Sequence, residues 1–394
     1  MSILRTSARA DGRCGTQGPA EAAFPAELPG LTGVRFLLAA GVAFFHYHLV
    51  WGVDDMAWTS LLERSRLGLD VFFILSGFIL THVYQRQYAE GRYSHRRFLV
   101  ARIARIYPMH LAALAVFVAM VLAGRLLGAS FDGANYPWGD LGRTVLLVQA
   151  WTPDPRPNLW NGPSWSLSAE WFAYLLFPAF AWIGLKLGRR PVVLLALATA
   201  LFVALDAVYL SAYGRILPRA EDGLGVLRIV PEFLYGVGLY RLGERLTVDR
   251  RSAVAGAVAA AAAFLALMHF GADDRLIVLA AGPLVLSLAL LSKGGADAGL
   301  ARPSMLLLGE ASFALYLLHM PILIAWRHAA GLLTGRPLQQ AMPLAEVLLV
   351  FAVTIVAAVA AHLLWERPAR DWIRRRADRL WPTQTCGEAR PAVG

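Results

Sequence analysis

The sequence contains few cysteines and few charged residues. Its two cysteines, Cys14 and Cys386, lie in opposite polar tails of the 394-residue chain. This placement excludes a disulfide framework, a cysteine metal site and a thiol nucleophile from the apolar part of the chain. Charged residues make up 16% of the sequence, against about a quarter in soluble proteins. Because 57% of the residues are hydrophobic, a soluble fold could not bury all the apolar surface, and we expect a membrane protein.

Apolar runs recur along the chain, several of them near the roughly 20 residues that a helix needs to cross a bilayer. They predict an all-α polytopic membrane protein with about ten transmembrane helices. The predicted spans are near residues 31–50, 67–84, 106–124, 165–185, 191–213, 224–241, 252–270, 276–292, 304–324 and 344–364. The apolar segment 142–151 is too short to cross unaided, and we interpret it as a partly buried excursion on the outer side.

The distribution of arginine predicts the orientation of the chain. The net charge is +10, but the arginines occur in blocks between apolar runs, which is typical of cytoplasmic loops and argues against nucleic-acid binding. With ten spans, this pattern places both termini in the cytoplasm. No apolar core of a signal peptide precedes the first span. We therefore predict an N-terminal cytoplasmic tail (1–30), a membrane domain (31–366) in the inner membrane and a basic cytoplasmic C-terminal tail (367–394), with no soluble domain after the last helix.

Ionisable residues inside apolar runs are costly in a bilayer and are therefore candidates for function. Arg35 and His46 are eleven residues apart, so they share one face of the first helix and are separated by about 16 Å along it. Arg35 would lie near the cytoplasmic surface and His46 toward the outer side. Asp70, which starts the next span, would lie at the depth of His46. It would be either a hydrogen-bond partner of His46 or a helix N-cap.

Two later helices bring polar residues to a similar depth. The fourth predicted helix opens with Ser164 and Trp165 and carries Glu170, and the ninth places Tyr316 and His319 on one face. These residues are candidates for an acceptor pocket. Two alternatives stay open: Glu170 would only hold helices together by hydrogen bonds, or Tyr316 and His319 would belong to an aromatic belt at the membrane interface.

Two more arginines lie on the predicted cytoplasmic side. Arg102 and Arg105 are about one helical turn apart, at the depth of Arg35, and are candidate ligands for an anion. We name these three residues the basic mouth. The sequence thus predicts a basic mouth below a pocket centred on His46.

Taken in series, these segments resemble acyltransferase family 3, bacterial membrane O-acyltransferases that modify sugars and polysaccharides. The matching segments are Arg35 with His46, GLDVFFILSGF at 68–78, RIARIYP at 102–108, SWSL at 164–167 with Glu170, and SFALYLLHMP at 312–321. They extend from residue 31 to about residue 324. One departure is Thr32, where the family usually has aspartate or arginine before the glycine. Members that act on peptidoglycan often carry an additional C-terminal domain, which the sequence lacks, and this favours a glycan or small glycoside as acceptor.

The resemblance implies an enzyme that transfers an acyl group, by family habit acetyl, from cytoplasmic acyl-coenzyme A to an acceptor hydroxyl. Acyl-coenzyme A would be a co-substrate, and we expect neither a bound cofactor nor a metal. Arg35, Arg102 and Arg105 would bind the coenzyme A phosphates. His46 would be the general base, oriented by Asp70. Direct transfer is favoured over an acyl-enzyme because no cysteine and no serine clearly beside a base occupies the pocket.

Two other functions are compatible with buried ionisable residues. One is a transporter or flippase that relays protons through them, although the sequence shows neither an inverted repeat nor paired broken helices. The other is a different lineage of membrane O-acyltransferase, built around His319.

Overall fold

The computed structural model describes residues 24–52, 59–126, 136–155, 160–297 and 299–381. Within these residues the fold consists of fourteen α-helices with short 3₁₀ and π turns and no β-strand, which confirms the predicted all-α membrane fold. The helices are α1 (Pro29–His48), α2 (Leu61–Arg64), α3 (Gly68–Ala89), α4 (His95–Leu126), α5 (Trp138–Val145), α6 (Trp165–Leu175), α7 (Phe177–Lys186), α8 (Pro191–Tyr213), α9 (Ile229–Gly243), α10 (Arg250–His269), α11 (Asp274–Lys293), α12 (Pro303–Thr334), α13 (Leu344–Ala361) and α14 (Arg367–Leu380).

Eight helical segments of the described chain are long and apolar enough to cross a membrane. A ninth is formed by α6 and α7 together, which are bent by 58° at Leu176. The predicted span near 224–241 corresponds to α9, which has only 15 residues. The ten-span topology and the cytoplasmic position of both termini therefore stay predictions. The segment 142–151 is not one helix, because α5 ends at Val145 and a 3₁₀ turn follows at Gln149–Trp151.

Glycines permit a close helix crossing between α3 and α9. A Cβ added to Gly77 would overlap the carbonyl oxygen of Phe233, and one added to Gly236 would overlap that of Ile74. Small residues let membrane helices approach until their backbones touch, so van der Waals packing replaces the hydrophobic effect that lipid cannot supply. This crossing fixes the face that α3 turns toward α9.

The last described helix, α14, packs against α4. At one end of α14, a guanidinium nitrogen of Arg97 donates to the carbonyl oxygen of Trp381 at 3.2 Å, and the Arg96 guanidinium stacks 3.7 Å from the Trp381 ring. At the other end, a π turn at His362–Glu366 joins α14 to α13. The predicted C-terminal tail thus begins as a packed helix, while residues 382–394 lie outside the described chain.

Candidate active site

A cavity of about 170 Å³ lies between α1, α3, α4, α6, α12 and α14. Five of the predicted site residues line it: Arg35, Arg102, Arg105, Glu170 and Tyr316. Much of the remaining wall is apolar, with Phe72, Phe73 and Leu80 of α3 among its residues. Polar residues from four separate helices therefore line one cavity, and the basic mouth is among them.

The basic mouth carries positive charge that is only partly compensated. Arg105 is ion-paired with Glu366, whereas Arg35 forms no hydrogen bond or ion pair with any residue in the described ranges. Within the described ranges Arg102 has a single long hydrogen bond of 3.5 Å, to the Tyr84 hydroxyl, and it lies 5.6 to 5.8 Å from the centres of three aromatic rings. The rings hold this guanidinium by cation–π contact without neutralising it. The arrangement suits a polyanionic ligand.

Glu170 ties two helices together and also faces the cavity. Its Oε1 accepts hydrogen bonds from Ser76 of α3 at 2.8 Å and from Tyr174 of its own helix at 2.5 Å. This is the helix-holding contact that the sequence left open as an alternative. Since Glu170 lines the cavity as well, its carboxylate also contributes negative charge opposite the basic mouth.

His46 of α1 lies against His319 of α12, and we name these two residues the histidine pair. His319 Nε2 is 3.2 Å from His46 Nδ1, and the ring centres are 4.9 Å apart. His319 Nδ1 is 2.5 Å from the carbonyl oxygen of Tyr316, and His46 Nδ1 is 3.0 Å from that of Val42. A carbonyl oxygen only accepts, so both Nδ1 atoms carry the proton. In the neutral pair, the single Nδ1 proton of His46 is then shared between the Val42 carbonyl oxygen and His319 Nε2, and His46 Nε2 keeps a free lone pair.

The structure corrects the role expected for Asp70. Its two carboxylate oxygens accept from the Arg228 guanidinium, at 2.8 Å for Nε and 2.6 Å for the second nitrogen, and both side chains are buried. It is not an N-cap either, because α3 begins at Gly68 and no side chain caps it. His46 has His319 as its partner instead. Arg228 was missed by the sequence analysis, although an arginine inside a predicted span needs a buried acid, and this was the available signal.

Ser164 and Trp165 support the site without lining the cavity. Ser164 Oγ accepts from Gln149 Nε2 at 3.1 Å, which attaches the segment after α5 to the start of α6. The Trp165 ring lies 5.1 Å from the Arg228 guanidinium and covers the ion pair with Asp70. The excursion at 142–151 therefore helps to fix the residues around the buried charges.

Tyr316 lines the cavity and also lies next to the histidine pair. Its hydroxyl donates to the Pro163 carbonyl at 2.5 Å and lies 2.7 Å from Ser166 Oγ, while its ring is 5.7 Å from the His319 ring. Tyr316 is 6% exposed and His319 is 0% exposed, which does not agree with an interfacial belt. The rigidly held tyrosine thus connects the two halves of the site.

Two residues that the sequence analysis did not predict, Glu366 and Arg374, lie near the basic mouth. Glu366, in the π turn, accepts from Arg105 and lies 2.9 Å from His362 Nδ1. Arg374 of α14 lines the cavity. The proline at position 368, in the first turn of α14, is a common sequence signal for a helix N-terminus. It could have indicated this helix from the sequence.

The chain matches known acyltransferases over most of its length. A family model described as an acyltransferase domain, of acyltransferase family 3, covers residues 28–363. The acyltransferase MdmB of Streptomyces mycarofaciens is 29% identical over 89% of this chain and 93% of that protein. The peptidoglycan O-acetyltransferase OatA of Listeria monocytogenes is 25% identical over 47% of this chain and 29% of that protein. No solved structure matches the chain. Since the family model covers more than half of the residues, the chain belongs to acyltransferase family 3.

Proposed function

We propose that this membrane protein transfers an acyl group, acetyl in the simplest case, from acyl-coenzyme A to a hydroxyl of a glycan or glycoside. The observation that carries the proposal is the cavity with an incompletely neutralised basic mouth and, next to Tyr316 of its lining, a histidine pair with a free lone pair. Family membership supports acyl transfer as the reaction.

The basic mouth would bind the phosphates of the donor from the cytoplasmic side of the inner membrane. Guanidinium groups form charge-assisted, often bidentate bonds with phosphate oxygens. Arg35 and Arg102 are free of carboxylate partners among the described residues, so their charge is available for this contact. The rise along α1 places His46 about 16 Å from Arg35, similar to the length of the pantetheine arm that carries the thioester.

His46 would be the general base. Its Nε2 takes the proton of the acceptor hydroxyl as the hydroxyl oxygen attacks the thioester carbonyl carbon. The carbon–sulfur bond then breaks, and the leaving thiolate takes that proton from His46. His319, rather than Asp70, orients the ring, because its Nε2 accepts from His46 Nδ1 and this bond strengthens when His46 becomes an imidazolium. The ester forms directly, without an acyl-enzyme.

The relatives favour a carbohydrate hydroxyl as the acceptor. OatA is by name a peptidoglycan O-acetyltransferase, and its match extends over 47% of this chain. MdmB, which matches over 89% of the chain, is by name an acyltransferase. An O-linked acyl ester on a glycan or glycoside at the membrane agrees with both.

Label transfer tests this function. Membranes containing the wild type, His46→Ala or the exposed control His269→Ala receive acetyl-labelled acetyl-coenzyme A and a pool of cell-envelope glycans. We expect base-labile label on glycan with the wild type and the control, and at least about a hundredfold less with His46→Ala. Equal labelling by all three proteins would remove His46 from the mechanism. Acceptor translocation by the wild type without any need for acyl-coenzyme A would instead support a transporter.

A further inference from the structure

Helix α14 brings two arginines toward the cavity that the proposed function assigns to the acyl donor. Arg374 lines the cavity together with Arg35 and Arg102. Arg370, one helical turn earlier, lies in the electrostatic neighbourhood of Arg105 and Glu366. Because residues four apart share a helix face, α14 presents both guanidinium groups on the side that meets the membrane domain.

Arg370 is buried, and no residue that the structure describes forms a hydrogen bond with its side chain. It is 1% exposed, and none of its three guanidinium nitrogens forms a hydrogen bond with any residue in the described part of the chain. Its nearest acidic atom is an oxygen of Asp371 at 3.8 Å. A buried guanidinium is costly unless several of its donors are satisfied. The neighbouring Arg102 Nε and one Arg105 nitrogen are also buried without a hydrogen-bond partner among the described residues. Guanidinium donors without a hydrogen-bond partner in the described part of the chain are thus concentrated where α14 meets α4.

The rigidity of α14 favours a binding role over a loose topology signal. The helix is anchored to α4 near Trp381 by Arg96 and Arg97, and next to its start by the ion pair between Glu366 and Arg105. A positively charged helix held on a wall of like-charged residues repels them unless anions lie between. Among the described residues, four carboxylates lie near this group of five arginines: Glu170, Glu310, Glu366 and Asp371.

We infer that α14 is part of the donor site, and that Arg374 and Arg370 bind phosphate oxygens of the nucleotide portion of acyl-coenzyme A. This inference rests on the proposed function. A lipid headgroup offers the same phosphate chemistry, but Arg374 lines the cavity together with the basic mouth, whereas a lipid would meet the exposed side of α14, where Arg375 and Arg376 lie. The nucleotide is therefore the phosphate source that we assign.

The test uses the purified full-length protein in neutral detergent. The variants are Arg374→Gln, which alters a partly exposed side chain, Arg370→Lys, which keeps the buried charge but loses the planar donor fork, and the matched control Arg375→Gln/Arg376→Gln on the exposed face. Binding is measured with coenzyme A and with adenosine 3′,5′-bisphosphate. Kinetics compare acetyl-coenzyme A with S-acetylpantetheine, a donor without phosphate groups.

We expect Arg374→Gln and Arg370→Lys each to weaken coenzyme A binding about ten- to a hundredfold, as loss of a hydrogen bond to a charged group predicts. KM for acetyl-coenzyme A should rise by the same factor as the dissociation constant of coenzyme A, while kcat with this donor stays unchanged. Both kcat and KM for S-acetylpantetheine should equal the wild-type values. The control should match the wild type. Equal losses with both donors would indicate a merely structural α14 and overturn the inference.

Two further outcomes would also decide against it. Wild-type affinity for coenzyme A in both variants, combined with weaker retention on vesicles containing phosphatidylglycerol, would identify a lipid headgroup as the ligand. Failure of the wild type itself to bind coenzyme A would overturn the proposed donor, and α14 as its ligand with it. Coenzyme A binding by the wild type distinguishes failure of the α14 inference from failure of the proposed donor. If the wild type binds coenzyme A, the proposed donor is retained whatever the variants do.

Discussion

Substituting Asp70 by asparagine separates a catalytic role of this carboxylate from a structural one. Asp70 is 0% and Arg228 2% exposed, and two short hydrogen bonds join them. Removing one partner of such a pair leaves a buried charge uncompensated and costs about 3–5 kcal/mol. Glu232 lies close enough to interact with both residues and can replace part of the lost contact. We therefore expect about 3 kcal/mol, a roughly 150-fold loss in the folding equilibrium constant.

Unfolding in mixed micelles of increasing SDS content, followed by tryptophan fluorescence, measures this loss. The same titration is applied to Asp70→Leu, to Arg228→Met and to the double variant Asp70→Leu/Arg228→Met. Replacing both charges by apolar side chains leaves no unpaired partner, so the double variant should be more stable than the sum of the single losses predicts. We expect a coupling free energy of about 0.5–3 kcal/mol between the two residues, the usual range for residues in contact.

Turnover per folded molecule gives the second measurement. We expect Asp70→Asn to transfer label at nearly the wild-type rate once the folded fraction is taken into account. If Asp70 instead oriented the catalytic histidine, the substitution would lower turnover by up to about 10⁴-fold, as loss of the aspartate does in a Ser-His-Asp triad. Such a loss at wild-type stability would refute the structural role of the Asp70–Arg228 pair.

Further substitutions test the histidine pair, the basic mouth and the packing. His46→Ala should lower label transfer by about 10²–10⁴-fold at an unchanged unfolding midpoint, and retained turnover would contradict its role as base. His319→Gln keeps an acceptor for the His46 ring and should retain more turnover than His319→Phe; equal loss would count against a hydrogen-bonding role. Arg102→Gln should raise KM for acetyl-coenzyme A, while Arg105→Gln should mainly lower stability because Arg105 has a buried carboxylate partner, and the reverse pattern would contradict this division. Gly77→Val should reduce the monodisperse protein recovered by size-exclusion chromatography, because the added side chain overlaps backbone of α9; wild-type recovery would show that this crossing can open.

Sequence periodicity was sufficient to bring the basic mouth and Glu170 to one cavity, because helix rise fixes depth and helical phase fixes the face. It was not sufficient for Asp70, since equal depth does not determine which neighbouring helix a residue faces. Asp70 and Gly77 are seven residues apart and share a face of α3, and Gly77 meets the backbone of α9. Asp70 therefore faces the segment leading into α9, where Arg228 lies, and not His46. The glycine could have indicated this direction.

The C-terminal segment shows a different limit. Its arginines have the composition of a cytoplasmic topology signal, and composition alone does not distinguish an arginine that faces water from one that faces a cavity. The spacing of Arg370 and Arg374 carries the missing information, because four residues return to one face. The partner helix, however, is set by contacts at Trp381 and Glu366 that join segments more than 250 residues apart. Contacts between such distant segments depend on tertiary packing, so the local sequence pattern of α14 does not predict them.

The position of Tyr316 constrains how donor and acceptor can meet. Tyr316 lines the cavity that holds the basic mouth, and its ring centre is 5.7 Å from that of His319, which does not line the cavity. The hydroxyl is fixed by Pro163 and Ser166, so the ring does not swing freely as a gate. If transfer is direct, the thioester must leave the cavity to reach His46, because neither residue of the histidine pair lines it. Under the proposed function the nucleotide phosphates would then stay at the basic mouth, and only the acyl–pantetheine arm would extend past Tyr316 to His46.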